Sequence, residues 1–257
     1  MLNFSQFLCE SKTTLQYPDT LNPLLWRKEK FDSAAWNRLL KLAEFWRDYA
    51  LIPEDAVKDI LLVGGNANYN YTNYSDLDLH LHVDKSKIPD CKEEILDEYL
   101  KDKKTLWGLT HKITIYGIPV EIYAQGIDEK YSTNQGVYSI LNNEWIQKPN
   151  RVSINLNDSI LKKKISSLKN QIVYYIKHKV DNIKALKDLQ DKIKNMRQSG
   201  IKQGGEFSLE NLVFKELRNQ GLIDKFHDYV LKVEDKSFTL KKKVKNDWRT
   251  IKWIHFK

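Results

Sequence analysis

Asp76 and Asp78 stand two positions apart at the head of the run DLDLHLHVD, residues 76–84. Side chains alternate between faces along a β-strand, so Asp76, Asp78, His80 and His82 share one side while Leu77, Leu79, Leu81 and Val83 share the other. The apolar side belongs in a core, which leaves two carboxylates about 7 Å apart on the polar side. At neutral pH they repel each other unless a cation lies between them. Hard oxygen donors of this kind suit Mg²⁺ or Mn²⁺ better than zinc, and Mg²⁺ typically takes one or two carboxylates together with substrate phosphates. His80 and His82 continue the same face about 7 and 13 Å beyond Asp78, outside the reach of one ion.

The elements that must position this pair read as strand, glycine turn, strand. Ile60, Leu61, Leu62 and Val63 form an apolar run, Gly64-Gly65 turn the chain, and a spacer of ten residues rich in Asn and Tyr leads into Asp76. Upstream, Asp32 is an N-cap candidate for a helix carrying Ala35, Trp36, Leu39, Leu40, Ala43, Trp46 and Ala50 at intervals of three and four, with Pro53 beyond its end. Aromatics on that face, Trp36 and Trp46 among them, belong to a core rather than to a ligand platform. Downstream, residues 91–100 read as a helix through Ile95, Leu96, Tyr99 and Leu100. The stretch HKITIYGIPVEIYAQ, residues 111–125, reads as a hairpin about Tyr116-Gly117-Ile118-Pro119. Glu121 stands alone there among Val120, Ile122 and Ala124. Residues 131–150 read as a short helix or turn segment.

Val63-Gly64-Gly65, the ten-residue spacer and Asp76-Leu77-Asp78-Leu79 together resemble the signature of the polymerase-β-like nucleotidyltransferase superfamily. The wider context is LNPLLW at 21–26, GNANYNYTNYSDLDLH at 65–80 and GGEFSLENLVFK at 204–215. It looks like predicted nucleotidyltransferases of large tailed phages. The resemblance implies an α+β fold: a nucleotidyltransferase-type mixed sheet with flanking helices, followed by a mainly helical C-terminal domain. It also implies two-metal, NTP-dependent transfer of an NMP, with Mg²⁺ or Mn²⁺ held by Asp76, Asp78 and Glu121. Glu121 occupies the place of the third carboxylate on a strand beside the Asp-x-Asp strand. A lone strand carboxylate is otherwise an ordinary solvent-face residue. Gly64 and Gly65 would let backbone approach the triphosphate. Many members carry Ser at the second of these positions, and Gly65 lacks that hydroxyl. Ser75 either bonds phosphate or simply starts the strand.

Charge divides the chain. Residues 158–257 hold 24 Lys+Arg against 12 Asp+Glu, leaving 18 against 22 in residues 1–157, so the net charge of +8 comes from the second half. A basic half suits a polyanionic partner such as RNA, although scattered lysines on solvated helices give the same excess. A helical pattern runs from Asp158 to Met196 and would be about 60 Å long if unbroken. A break is expected near Lys179–Asn182. Gly200 is read as the helix end, Gly204-Gly205 as a turn, and Ser208 as the N-cap of the next helix. A glycine turn feeding a helix N-terminus suits phosphate when cations are near, here Arg197 and Lys202, but an ordinary helix connection has the same sequence and Glu206 and Glu210 oppose a simple phosphate cradle. The tail from Ser237, rich in Lys and Trp, is either a final hairpin or a nucleic-acid contact.

The chain divides into an N-terminal arm (1–31), a catalytic domain (32–150) and a basic helical substrate-binding domain (151–257). No apolar run reaches membrane-spanning length, no secretory signal pattern opens the chain, and Cys9 and Cys91 have neither disulfide-motif nor zinc spacing, so a cytoplasmic protein with free thiols is expected. The leading reading is transfer of an NMP from an NTP to an acceptor hydroxyl, RNA or tRNA being favoured. Protein NMPylation of the toxin or antitoxin kind and an inactive nucleic-acid-binding scaffold are the alternatives.

Overall fold

The computed structural model describes residues 13–88 and 93–240. A short hairpin, β1 (Trp26–Arg27) with β2 (Lys30–Phe31), precedes helix α1 (Ser33–Tyr49). Asp32 caps α1, its carboxylate accepting hydrogen bonds from the N–H groups of Ala34 and Ala35 at 3.0 Å each. A cap of this kind is worth about 1 kcal/mol. Ala35, Leu39, Ala43 and Trp46 form the buried stripe of α1, as their spacing requires.

The sheet is built from β3 (Val57–Val63), β4 (Leu77–Val83), β5 (Thr114–Ile115), β6 (Ile118–Gly126), β7 (Val137–Ser139) and β8 (Glu144–Gln147) in the order β5-β6-β4-β3-β7-β8. β4 and β6 run parallel and every other neighbouring pair is antiparallel. A parallel pair needs a crossover, supplied here by α2 (Glu93–Thr110). Tyr116 and Gly117 turn β5 into β6 with φ of 52° and 80°, the left-handed backbone that a two-residue hairpin demands.

Two local expectations change. The helix expected over 91–100 continues to Thr110, because Trp107 extends the buried stripe of Leu96 and Leu100; Cys91 itself lies outside the described residues. Residues 131–150 form no helix but carry β7 and β8. Tyr138 and Ser139 pair with Leu62 and Leu61, and the Ser139 hydroxyl donates to the Asp59 carboxylate at 2.7 Å, so tertiary pairing decides what local pattern leaves ambiguous.

One face of the sheet, with Ile60, Leu62, Leu77, Leu79, Leu81, Val83 and Ile122, packs in a core with α1 and α2. Leu61 and Val63 face the other way with Val137. Asp78 pairs with Val63 and His80 with Leu61, so the carboxylate face is this second side.

Four helices follow: α3 (Ser159–Lys177), α4 (Ile183–Gly204), α5 (Leu209–Asn219) and α6 (Leu222–Phe238). The break falls where expected: Lys179 takes φ of 51°, and Asn182 caps α4 by accepting from the Ala185 N–H. Gly200 does not end α4, which runs on to Gly204. A Cβ at Gly200 would lie 2.6 Å from Glu210 Cβ and 2.8 Å from Ser208 Oγ, so this glycine allows close packing of α4 on α5. Ser208 caps α5 as expected. Ser237 and Phe238 still belong to α6, and residues 241–257 of the tail lie outside the described residues.

The helices enclose a second core, with Leu161, Ile172, Leu186, Ile193, Val213 and Leu217 at its centre. The N-terminal segment is shared: Leu15 joins the helical core, whereas Leu21, Leu25, Trp26 and Phe31 join the core beneath the sheet. Among the described residues no helix is long and apolar enough to cross a membrane.

Candidate active site

Parallel pairing of β4 and β6 sets Asp78 directly beside Glu121, and Asp76 enters the same site from the residue just before β4. Each of the three carboxylates offers an oxygen within 4.8 Å of the others, all partly buried. Three hard oxygen donors this close suit Mg²⁺ or Mn²⁺, with no nitrogen or sulfur that would favour zinc.

Gly64 makes room for one of them. It has φ of 73°, and a Cβ there would meet Asp78 Oδ2 at 1.7 Å, so the glycine turn admits the Asp78 carboxylate before it admits any substrate. Gly65, not Gly64, lines the adjoining cleft. The Asn-rich spacer is a hydrogen-bonded frame for Asp76. Asn66 Nδ2 donates to the Asp76 carbonyl at 2.7 Å, while Asn66 Oδ1 accepts from Asn22 and its carbonyl from the Trp26 indole, both at 2.8 Å. Asn68 ties the Gly64 carbonyl to the Gly136 N–H at 2.6 and 2.8 Å. Ser75 accepts from the Thr72 N–H at 3.0 Å and also faces the cleft.

Burial, and then the charges of Asp76, Glu121 and Glu206, push the Asp78 pKa up to about 8, with Arg218 pulling the other way. Without a metal this carboxyl keeps its proton at neutral pH. Lys104 of α2 partly offsets the charge, its Nζ lying 2.7 Å from Glu121 Oε1.

The cleft beside the carboxylates holds about 530 Å³, and its far wall comes from the helices. Arg197 of α4 and Arg218 of α5 line it, with neither hydrogen bond nor ion pair to their guanidinium groups among the described residues. Arg197 stacks over Phe214 at 4.3 Å with its Nε buried and unpartnered, and burial followed by the charge of Arg218 lowers its pKa. Lys215 stands beside them, 3.5 Å from Glu206, which also accepts from Asn70 at 3.1 Å. Leu15, Gln16 and Tyr17 close one side. Two half-buried guanidinium groups near each other, neither in a direct ion pair among the described residues, can receive an anion.

No protein-family model matches the chain, and no curated protein does. Among solved structures, an Elizabethkingia meningoseptica CdnE cyclic dinucleotide synthase with GTP and Apcpp is 16% identical over 81% of this chain and 86% of its own, with a TM-score of 0.25. A STING-associated CdnE c-di-GMP synthase from Capnocytophaga granulosa is 17% identical over 80% and 83%, with a TM-score of 0.20.

Of the residues singled out in the sequence, Asp76, Asp78, Glu121, Gly65, Ser75 and Arg197 border one cleft, and Gly64 stands behind Asp78. Lys202 is exposed on α4 and does not line it. His80 is buried, bonded through Nδ1 to Gln125, with burial lowering its pKa to about 4; neither it nor His82 joins the carboxylate cluster. Lys104, Lys215, Arg218, Asn70 and Tyr17 line the cleft without having been singled out. Tyr17, Lys104 and the pair Lys215 and Arg218 come from segments far apart in sequence, while Asn70 lies in the Asn-rich spacer and Lys215 and Arg218 lie near the glycine stretch.

Proposed function

We propose that the protein is a metal-dependent nucleotidyltransferase that moves an NMP from an NTP to an acceptor hydroxyl, with RNA as the favoured acceptor. The observation that carries this reading is the pairing of opposites across one cleft: three clustered carboxylates on adjoining strands face Arg197, Arg218 and Lys215. An NTP bridges such a cleft, its phosphates satisfying the unpaired guanidiniums at one end and a carboxylate-held Mg²⁺ or Mn²⁺ at the other. Asp76, Asp78 and Glu121 would hold the metal, which would lower the acceptor's pKa and neutralise charge on departing pyrophosphate.

The chain's own groups do the positioning. Gly64 seats the Asp78 carboxylate, and the Asn66 bond to the Asp76 carbonyl fixes the strand entrance. Asp78 must give up its proton before it ligates a cation, so its raised pKa couples loading to pH. Tyr17 and Tyr123 supply aromatic surface at the cleft wall. On this reading the metal-holding carboxylates lie within residues 32–150, and the basic residues 151–257 contribute the phosphate-binding Arg197, Arg218 and Lys215 and also hold the acceptor, which is why RNA is preferred over a neutral small molecule.

Incubation of the full chain with each α-³²P NTP, Mg²⁺ or Mn²⁺, and total RNA tests the reading. Label should enter RNA, and Asp76→Asn and Asp78→Asn should each abolish it. Label on protein, or in a small acid-soluble product, would keep the transferase and replace the acceptor. Undiminished labelling in both variants would refute the carboxylate assignment.

A further inference from the structure

Lys104 reaches the carboxylate cluster from α2, a different element from those that carry it. Its Nζ lies 2.7 Å from Glu121 Oε1 and 4.1 Å from the centroid of the Tyr123 ring. The side chain is 33% exposed against 43% for Glu121, so the pair is wet enough to open. Lys104, Asp76 and Glu121 also border a second groove of about 680 Å³ running along α2 toward Trp107 and Pro119. The ammonium therefore sits between two cavities, on a carboxylate that belongs to the cluster.

An ammonium hydrogen-bonded to one oxygen of the Glu121 carboxylate and a divalent ion held by the same carboxylate bring like charges close together, which weakens the binding of the ion. We propose that Lys104 is an internal competitor for the divalent cation at Glu121, an inference that rests on the metal-binding reading of the cluster. In the metal-free protein it offsets part of the negative charge of the cluster; for an ion to use Glu121, the ammonium withdraws toward solvent, keeping contact with the Tyr123 ring. The step is an exchange of cations and breaks no covalent bond. A lysine that merely props Glu121 in place would act in the opposite sense, since its loss would disorder a ligand and weaken metal binding.

Mn²⁺ binding to the full chain without nucleotide, read by the electron paramagnetic resonance of free Mn²⁺ and by calorimetry, separates the two. K104M should bind Mn²⁺ roughly twofold to fivefold more tightly than the unaltered protein, the range expected from losing one partly exposed like charge. K104R should bind like the unaltered protein. Metal-free K104M should melt lower and gain more on Mn²⁺ addition. K104Q, measured alongside and closer to lysine in polarity, should tighten binding as K104M does. Unchanged or weaker binding by whichever of K104M and K104Q is folded overturns the proposal while leaving the metal site standing, provided D76N loses Mn²⁺ binding. No Mn²⁺ binding by the unaltered protein overturns both the proposal and the metal-binding reading.

Discussion

Asp78 shows how one side chain carries both a cost and a use. Its pKa is raised to about 8 by burial and by Asp76, Glu121 and Glu206, whereas in the unfolded chain a carboxyl titrates near 3.9. Between those values the unfolded chain has released a proton that the folded one keeps. Metal-free stability contributed by this group is therefore present below about pH 4 and lost as pH rises toward 8. Asp78→Asn should remove that slope: melts in chelator should show the variant more stable than the unaltered protein by a margin that widens from about pH 5 to pH 8. Metal affinity should run the other way, increasing with pH over the same range, because each ion bound must displace the proton. His80, buried neutral beside Gln125 with its pKa lowered to about 4, loses stability as pH falls below about 6.5, so the comparison of variant with parent is what isolates Asp78. Across the cleft, Arg218→Ala should raise the KM for NTP roughly tenfold or more, the loss of a charge-assisted contact to phosphate, while changing metal affinity far less.

At the scale of elements, Gly200 separates propensity from packing. Alanine is about 1 kcal/mol better than glycine inside a helix, and Gly200 lies inside α4. Yet a methyl group there would press within 2.6 Å of Glu210 Cβ, close to the α5 backbone, and overpacking of this kind typically costs about 1–3 kcal/mol. Gly200→Ala should therefore lower the melting temperature despite its helical advantage, a sign that thermal denaturation followed by circular dichroism reads directly. This glycine also marks the boundary of what was legible. Periodicity and caps exposed α1, the break before α4 and the start of α5, because those signals are local. Asp76 and Asp78 were legible because strand alternation is local too, whereas Glu121 was reached only through the family resemblance that the Gly-Gly and Asp-x-Asp spacing carries. The end of α4, the pairing of β7 with β3 and the place of Arg218 opposite the carboxylates were not, since each depends on which distant segment packs against it; Arg197 was picked out only as a cation near the glycine turn. The Asn-rich spacer lay in between: its composition stood out, but its purpose appears only when Asn66 and Asn68 are seen holding Asp76 and Gly64.

Across the whole molecule, the cleft is assembled from both ends of the described chain, and one buried carboxylate holds them together. Glu216 of α5 is 1% exposed and accepts from the N–H and hydroxyl of Thr14 at 2.9 and 2.8 Å, from the Thr13 hydroxyl at 3.1 Å and from Gln220 at 2.7 Å. Asn219 adds a bond to the Thr14 hydroxyl at 3.0 Å. These contacts set the course of the next residues, Leu15 to Tyr17, along the side of the cleft, and Arg218 lies only two positions from Glu216 on the same helix. Glu216→Ala leaves several polar groups unpartnered, each costing about 1–3 kcal/mol if it stays buried, so the segment should detach rather than remain in place. The expected outcome is faster amide exchange over residues 13–17, a higher KM for NTP and little loss of Mn²⁺ affinity, because Asp78 and Glu121 stand on strands of the sheet and Asp76 just before β4, and the sheet packs on a core of its own. Glu216→Gln, which keeps the acceptor oxygen but loses the charge, should fall between the two. Equal loss of metal and nucleotide binding in Glu216→Ala would instead mean that the helices and sheet fail together, and that the segment has no separate part in holding the nucleotide.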